Sequence, residues 1–362
     1  MKAVVLERPQ VLTYREIPVW PLEEYDDPDF VLVKVAACGI CGSDYRYFLG
    51  ENPWAQHTLG KFVENPANIV LGHEIAGEVV AVLSEKNASL LGQRVAILSY
   101  VTCGKCFDCR SGRGHLCVNT IHIGHGQGWG KRDYYPGAYA EYVPVWGKGC
   151  IPIPDSVTFG EAAMLDILGV AIHVAQQGAI EPGKAVLVMG AGPAGNAIAQ
   201  AARALGASYV VATDRVDIAL ELAKKQNIDY AVDVRGRPTE NLIQELGQLA
   251  PDGYCSVFDS IGTTESFTIG MSMLGRSGTL VEMAVHDQVV SVNLMSIGSE
   301  RKIVTSCNST LSDFTCALSW LERGRFQVKD WLTTLSLAEC PEKVAKVATR
   351  VERQTFKLLI GF

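Results

Sequence analysis

Four cysteines in the run VTCGKCFDCRSGRGHLC stand at positions 103, 106, 109 and 117. Two residues separate each of the first three, and the fourth follows after seven. Thiolates spaced in this way can wrap one ion tetrahedrally, the closed arrangement of structural zinc sites. Gly104, Lys105, Asp108 and Arg110 leave the run no apolar face, which weighs against four cysteines simply packed in a core. A second set of donor-type residues is spread more widely. ACGICGSDYRYF contains Cys38 and Cys41, and NIVLGHEIAGEVV contains His73 and Glu74. Cys41, His73 and Glu74 together offer a thiolate, an imidazole and a carboxylate, a mixed donor set of the catalytic kind that leaves a position for substrate. Spacing alone leaves this open: a cysteine among glycines also serves as a packed small residue, and a histidine ahead of a strand is often only hydrogen-bonded.

These residues need elements to position them. The first 150 residues alternate short β-rich runs (FVLVKVAACG, NIVLGHEIAGEVVAVL, RVAILS, AYAEYVPV) with Gly, Pro and Asn punctuation, which predicts a β-rich domain. Beyond GKGCIPIPDSVTF, strand-like and helix-like stretches alternate strictly. That pattern predicts a parallel sheet with right-handed crossovers, covered on both faces. Within it, VLVMGAGPAGNAIAQ sets Gly190, Gly192 and Gly195 in G-x-G-x-x-G order where a strand ends and a helix begins. Such a turn, with Pro193 and Ala194 opening the helix, lets backbone N–H groups and the helix dipole meet a pyrophosphate. The next strand, YVVATD, ends in Asp214, whose carboxylate is suited to the ribose hydroxyls of NAD and repels the additional phosphate of NADP. Arg215 beside it keeps NADP as the alternative.

Bulk properties exclude other classes. The formal charge is −7, with 32 basic residues scattered among 39 acidic ones, and offers no footprint for nucleic acid. No run reaches the ~18 apolar residues of a membrane-spanning helix. MKAVVLERPQ lacks the features of a secretory signal, so a cytoplasmic location is expected. Thiols stay reduced there, and an odd total of eleven cysteines suits metal ligands and small buried residues better than a disulfide framework.

GICGSD, GHEIAGEVV, the four-cysteine loop, GAYAEYV and VLVMGAGPAGNAIAQAARALGA occur in the order found in the zinc-dependent medium-chain dehydrogenase/reductase family, which the chain resembles over essentially its whole length. The resemblance is strongest to the polyol branch. It implies an α/β fold in which a Rossmann doubly wound parallel sheet is inserted into a β-rich, barrel-like (GroES-like) catalytic domain. The expected division is a catalytic domain over 1–155, a dinucleotide-binding domain over 156–300 and a returning segment over 301–362. It further implies two zinc ions per chain and a homodimer or homotetramer. The substrate class is a small polyhydroxylated alcohol or ketone, with hydride passing from a secondary alcohol to NAD.

Residue by residue, the resemblance makes Cys41 and His73 ligands of catalytic zinc and Glu74 the neighbouring carboxylate, while Cys103, Cys106, Cys109 and Cys117 hold structural zinc. Asp166, in DILGVAIHV, takes the place of a further ligand of the catalytic zinc, where the family has a glutamate one methylene longer, so that the ion or backbone must shift or a water must bridge. Ser43 matches the hydroxyl that relays the substrate proton. Arg46 stands where relatives commonly have histidine; a guanidinium accepts no proton, so it holds either an anionic part of substrate or cofactor, or a surface ion pair. The long stretch FLGENPWAQHTLGKFVENPAN, with Trp54 and His57, is read as a loop at the pocket mouth. His122, His125 and Trp129 are read as polar loop contacts. Two other readings stay open: a zinc-free quinone or enone reductase of the same superfamily, which would lack Cys41, His73 and the cysteine loop, and a non-catalytic nucleotide-binding protein.

Overall fold

The computed structural model describes every residue except 26, 227, 285, 286 and 353. The chain divides into two units. The first comprises residues 1–166, 310–318 and 332–362, and the second 167–309 and 319–331.

The first unit is built on antiparallel strands, apart from the parallel pair Leu332–Ser336 and Lys357–Gly361. Its main sheet runs Cys150–Pro152, Arg94–Ile97, Glu74–Val82, Phe30–Gly39, Lys357–Gly361 and Leu332–Ser336, with Tyr142–Trp146 also paired to Phe30–Gly39. A three-stranded sheet orders Val11–Glu16, Lys2–Arg8 and Ile69–Val70. Alternation of apolar and polar residues sends Val31, Val33, Val35, Ile75 and Val79 into one core with Tyr47, Tyr139 and Trp146. Two registers fix the position of the chemistry. Gly39 lies opposite Glu74 in one pairing and opposite Leu359 in the other. Cys41, His73 and Lys357 therefore emerge at the same end of the sheet, although they lie far apart in sequence.

The second unit holds six parallel strands in the order Tyr230–Asp233, Tyr209–Asp214, Ala185–Met189, Tyr254–Asp259, Leu274–Glu282 and Lys302–Thr305. Numbered along the chain, this is 3-2-1-4-5-6, the doubly wound order of dinucleotide-binding domains. The strands are continuous apolar runs because helices cover both faces, and Leu187, Val211, Val257 and Leu280 are fully buried. The order in which strands are added reverses between Ala185–Met189 and Tyr254–Asp259, which themselves run parallel, and ligands bind outside the carboxyl ends of strands at such a switch point. Gly190 and its loop occupy that place.

The stretch read as a loop after Leu49 contains a short helix, Pro53–Leu59. Its local signals are clear in retrospect. The Asn52 side chain caps the Ala55 N–H, Pro53 opens the first turn, and Gly60 ends the helix in the left-handed region. No helix among the described residues is long and apolar enough to cross a membrane.

Candidate active site

Cys41 follows the strand Phe30–Gly39 and caps the helix Gly42–Leu49. The helix is fixed through Asp44, whose Oδ2 accepts the Cys41 N–H at 2.8 Å and the Tyr139 hydroxyl at 2.9 Å. Asp44 is fully buried, and its Oδ1 lies 3.6 Å from His73 Nδ1. One carboxylate thus bonds the thiol-bearing turn and lies beside the imidazole. His73 directly precedes the strand Glu74–Val82. Glu74 is fully buried; its Oε1 accepts a 2.7 Å bond from Lys357 Nζ, and its Oε2 has no partner. The Oε2 lies against Gly39, where an added Cβ would sit 1.9 Å from it.

The donor atoms of Cys41, His73 and Glu74 all lie within 4.8 Å of one another. Their electrostatics suit a cation. Burial alone would depress the His73 imidazole, yet Asp44 and Cys41 push it well above its ordinary range. Lys357 shows the same balance, with burial opposed by Glu74 and Cys41, and its ammonium is held above its usual value. Anionic groups therefore outweigh the cations gathered here, and a thiolate, an imidazole and a carboxylate are donors that could hold a positive ion.

Asp166 does not join the three-donor group. It sits in the first turn of the helix Leu165–Gln177, and its carboxyl is pushed up to about 6, by burial first and against the attraction of His73. Ser43, two residues after Cys41, presents a buried Oγ with no partner among the described residues. Arg46 has its guanidinium engaged, by Glu51 at 2.8 Å and by the Gln56 side chain. The contact with Glu51 is an ion pair, one of its two expected uses. Cys38 is fully buried and packed under the centre, its Sγ donating to Gly39 O at 3.5 Å. Trp54 is anchored by a 3.0 Å bond from Nε1 to Thr120 Oγ1.

Three groups at the centre carried no local sequence signal of their role. Asp44 reaches it from the first turn of the helix that Cys41 caps, and Lys357 only through the strand registers described above. His125 comes from a distant loop; its ring centroid lies 4.8 Å from that of His73. The flanking glycines of GHG hinted at a constrained turn, without revealing where the turn packs.

In the other thiol cluster, the four donor sulfurs also lie within 4.8 Å of one another. Cys103 Sγ is 3.5 Å from Cys117 Sγ and 4.0 Å from Cys109 Sγ. Tetrahedral zinc with Zn–S of about 2.3 Å sets sulfurs about 3.8 Å apart, within this spread. Backbone N–H groups of Cys106, Cys109 and Asn119 point at the sulfurs of Cys103, Cys106 and Cys117. Bonds from the N–H groups of Lys105 and Cys106 pull the Cys103 thiol down to about 6, which favours the thiolate a metal needs. Every cysteine is free of disulfide bonds.

In the second unit, Gly190 has φ +89° and Cβ on Gly195 would meet Gly190 O at 1.7 Å, so the turn and the helix it opens require glycine at both positions. Around Gly192 there is open space. Pro193 begins the helix Pro193–Ala204 and Ala194 follows it, leaving free N–H groups at the helix start. Asp214 ends its strand with Oδ2 accepting the Ala191 N–H at 2.7 Å and Oδ1 accepting those of Arg215 and Val216 at 2.7 and 2.9 Å. These bonds fix a carboxylate beside the glycine turn. Arg215 is exposed.

Comparison with known proteins agrees with this geometry. Residues 27–155 match the family described as "Alcohol dehydrogenase GroES-like domain", and residues 193–323 match "Zinc-binding dehydrogenase". An L-threonine 3-dehydrogenase of Rhizobium johnstonii is 36% identical over 284 residues, covering 78% of this chain and 72% of the relative. A protein of Aspergillus clavatus named "Probable D-xylulose reductase A" is 32% identical over 321 residues, covering 86% of this chain and 84% of its own. Among solved structures, an alcohol dehydrogenase of Escherichia coli CFT073 complexed with NADH superposes with a TM-score of 0.84. It is 26% identical and covers 100% of this chain and 99% of that one. The GroES-like barrel, the 3-2-1-4-5-6 parallel sheet and these matches lead to one conclusion: the chain belongs to the zinc-dependent medium-chain dehydrogenases, oxidoreductases acting on CH–OH groups.

Proposed function

We propose that the protein oxidises a secondary alcohol of a small polyhydroxylated molecule, or reduces the matching ketone, with NAD as the hydride carrier. The first unit is the catalytic one and the second binds the dinucleotide. The observation that carries this reading is the group Cys41–His73–Glu74, a half-buried thiol with a buried imidazole and carboxylate, three different donor types within 4.8 Å near Ser43 Oγ, which has no partner among the described residues. Zinc bound there supplies Lewis-acid stabilisation of a developing alkoxide, and NAD supplies the hydride acceptor. Cys41 and His73 hold the metal, and Asp44 orients His73 through Nδ1. Glu74, tied to Lys357 through Oε1, would offer the metal its other oxygen, and Asp166 would meet the metal through a bridging water. Ser43 Oγ accepts the proton that the substrate hydroxyl releases and passes it outward. Arg46, engaged by Glu51, takes no part in the transfer.

The cysteine cluster at 103, 106, 109 and 117 holds a second, structural zinc. Asp214 supports NAD over NADP, because its fixed carboxylate suits two ribose hydroxyls and repels a 2′-phosphate. The family likeness supports a cytoplasmic dimer or tetramer. Zinc analysis combined with NAD- and NADP-linked oxidation of polyols, cyclitols and amino alcohols tests the whole reading. Two zinc ions per chain and NAD-linked turnover of a polyol are expected; a zinc-free protein, or faster rates with NADP, would overturn the corresponding part.

A further inference from the structure

We propose that His125 is a specificity-determining residue, its imidazole hydrogen-bonding the hydroxyl groups next to the carbon being oxidised, so that the site selects vicinal polyols. This rests on the metal-centre reading above and refines its substrate class.

His125 is 8% exposed, and both of its ring nitrogens are buried without a hydrogen-bond partner among the described residues. An imidazole brings a donor and an acceptor, and burying both unmet is costly. The surroundings hold the ring in place without satisfying it. Its centroid is 4.8 Å from that of His73, edge-on at 70°, 4.9 Å from His122 in a stack and 5.1 Å from Tyr47. His122 stacks in turn on Tyr100 at 5.0 Å. The backbone is fixed as firmly. Gly124 has φ +79°, and a Cβ there would lie 2.7 Å from Gly72 O, so the loop rests on the same backbone that carries His73. The N–H groups of Ile123 and Gly124 are bonded to Ser99 O and Pro136 O at 2.8 and 2.7 Å.

A rigid, partnerless imidazole beside a metal ligand is arranged to meet something that enters with the substrate. His125 is not itself grouped with the metal donors. The ligand chemistry follows from what is already engaged nearby. A substrate carboxylate would call for a free cation, but Lys357 is bound by Glu74 and Arg46 by Glu51. Hydroxyl groups, which both donate and accept, match one N–H and one bare nitrogen. The preferred substrate is therefore a molecule with adjacent hydroxyls rather than an amino acid.

The test compares the zinc-loaded, full-length enzyme with His125→Phe and His125→Gln variants, using 2,3-butanediol, 2-butanol and L-threonine with NAD. Phe keeps the stacked ring and removes both nitrogens. It is expected to lower kcat/KM for the diol about 10- to 100-fold, mainly through KM, and for 2-butanol by no more than about threefold. Zinc content and melting temperature should be unchanged, and Gln, with one donor and one acceptor, should recover much of the diol activity. Equal losses on diol and monohydric alcohol, no loss on the diol, a missing zinc ion, or a wild-type preference for L-threonine would each overturn the proposal. If the Phe variant does not fold, the Gln and His125→Ala variants give the same diol-to-alcohol ratio. A wild-type enzyme that oxidises neither these alcohols nor sorbitol or myo-inositol overturns the dehydrogenase reading itself, and this inference with it.

Discussion

In the loop from Cys103 to Cys117 all four sulfurs come from one short run of chain, and backbone N–H groups of the same run bond to them. At the other centre Cys41, His73 and Glu74 come from segments joined only by strand pairing, and Asp44, Tyr139 and Lys357 hold them from three further directions. In the first cluster the four sulfurs take up one another and the N–H groups of their own run. The second keeps unmet atoms: Ser43 Oγ, Glu74 Oε2 and the nitrogens of His125. A site that braces a loop satisfies itself, whereas a site that performs chemistry leaves groups unsatisfied for its substrate, and the fold around it must supply the compensation.

Paired substitutions break this comparison most sharply. His73→Ala should lower kcat about a thousandfold or more, since losing a metal ligand forfeits several kcal/mol of charge stabilisation. Metal analysis should then find one zinc per chain in place of two, with melting nearly unchanged. Cys117→Ser should do the reverse, lowering the melting temperature by roughly 5–10 °C while the surviving folded enzyme keeps most of its turnover. Similar kinetic losses in both variants would erase the distinction. Asp44→Asn probes the support of the open centre. It should weaken zinc binding there about 10- to 100-fold, read by competition with a chelator, and leave the cysteine cluster loaded. Ser43→Ala should slow alcohol oxidation by roughly 10- to 100-fold with the dissociation constant for NAD held within about twofold; an unchanged rate removes Ser43 from the proton path.

The smallest effect lies outside both centres. Burial, then Asp259, pushes the Glu282 carboxyl up to about 7. Its folded-state value exceeds the unfolded one, so the stability it contributes is full below about pH 4.5 and is lost as pH rises through about 7. Glu282→Gln should flatten that slope in urea titrations across this window, with zinc content untouched.

What was legible in the sequence follows the same division. The cysteine loop and the turn Gly190–Gly195 are local devices, whose spacing carries their geometry. Cys41 and His73 became convincing only through family resemblance, because nothing near either residue says that register will bring them together. Asp44 reads as an ordinary first-turn carboxylate and Lys357 as one lysine in an apolar strand. The histidines at 122 and 125 were read as loop contacts, since their burial depends on Gly124 lying across Gly72. The helix Pro53–Leu59 was overlooked in a stretch judged by its length, although Asn52, Pro53 and Gly60 mark both ends.

Lys357 belongs to the strand Lys357–Gly361, which pairs with Phe30–Gly39 from the far side of the sequence. A ribosome delivers that lysine long after Cys41, His73 and Glu74 have emerged, and until then the Glu74 carboxylate has no counter-charge to make its burial tolerable. The contact that neutralises Glu74 is therefore among the last that the growing chain can make.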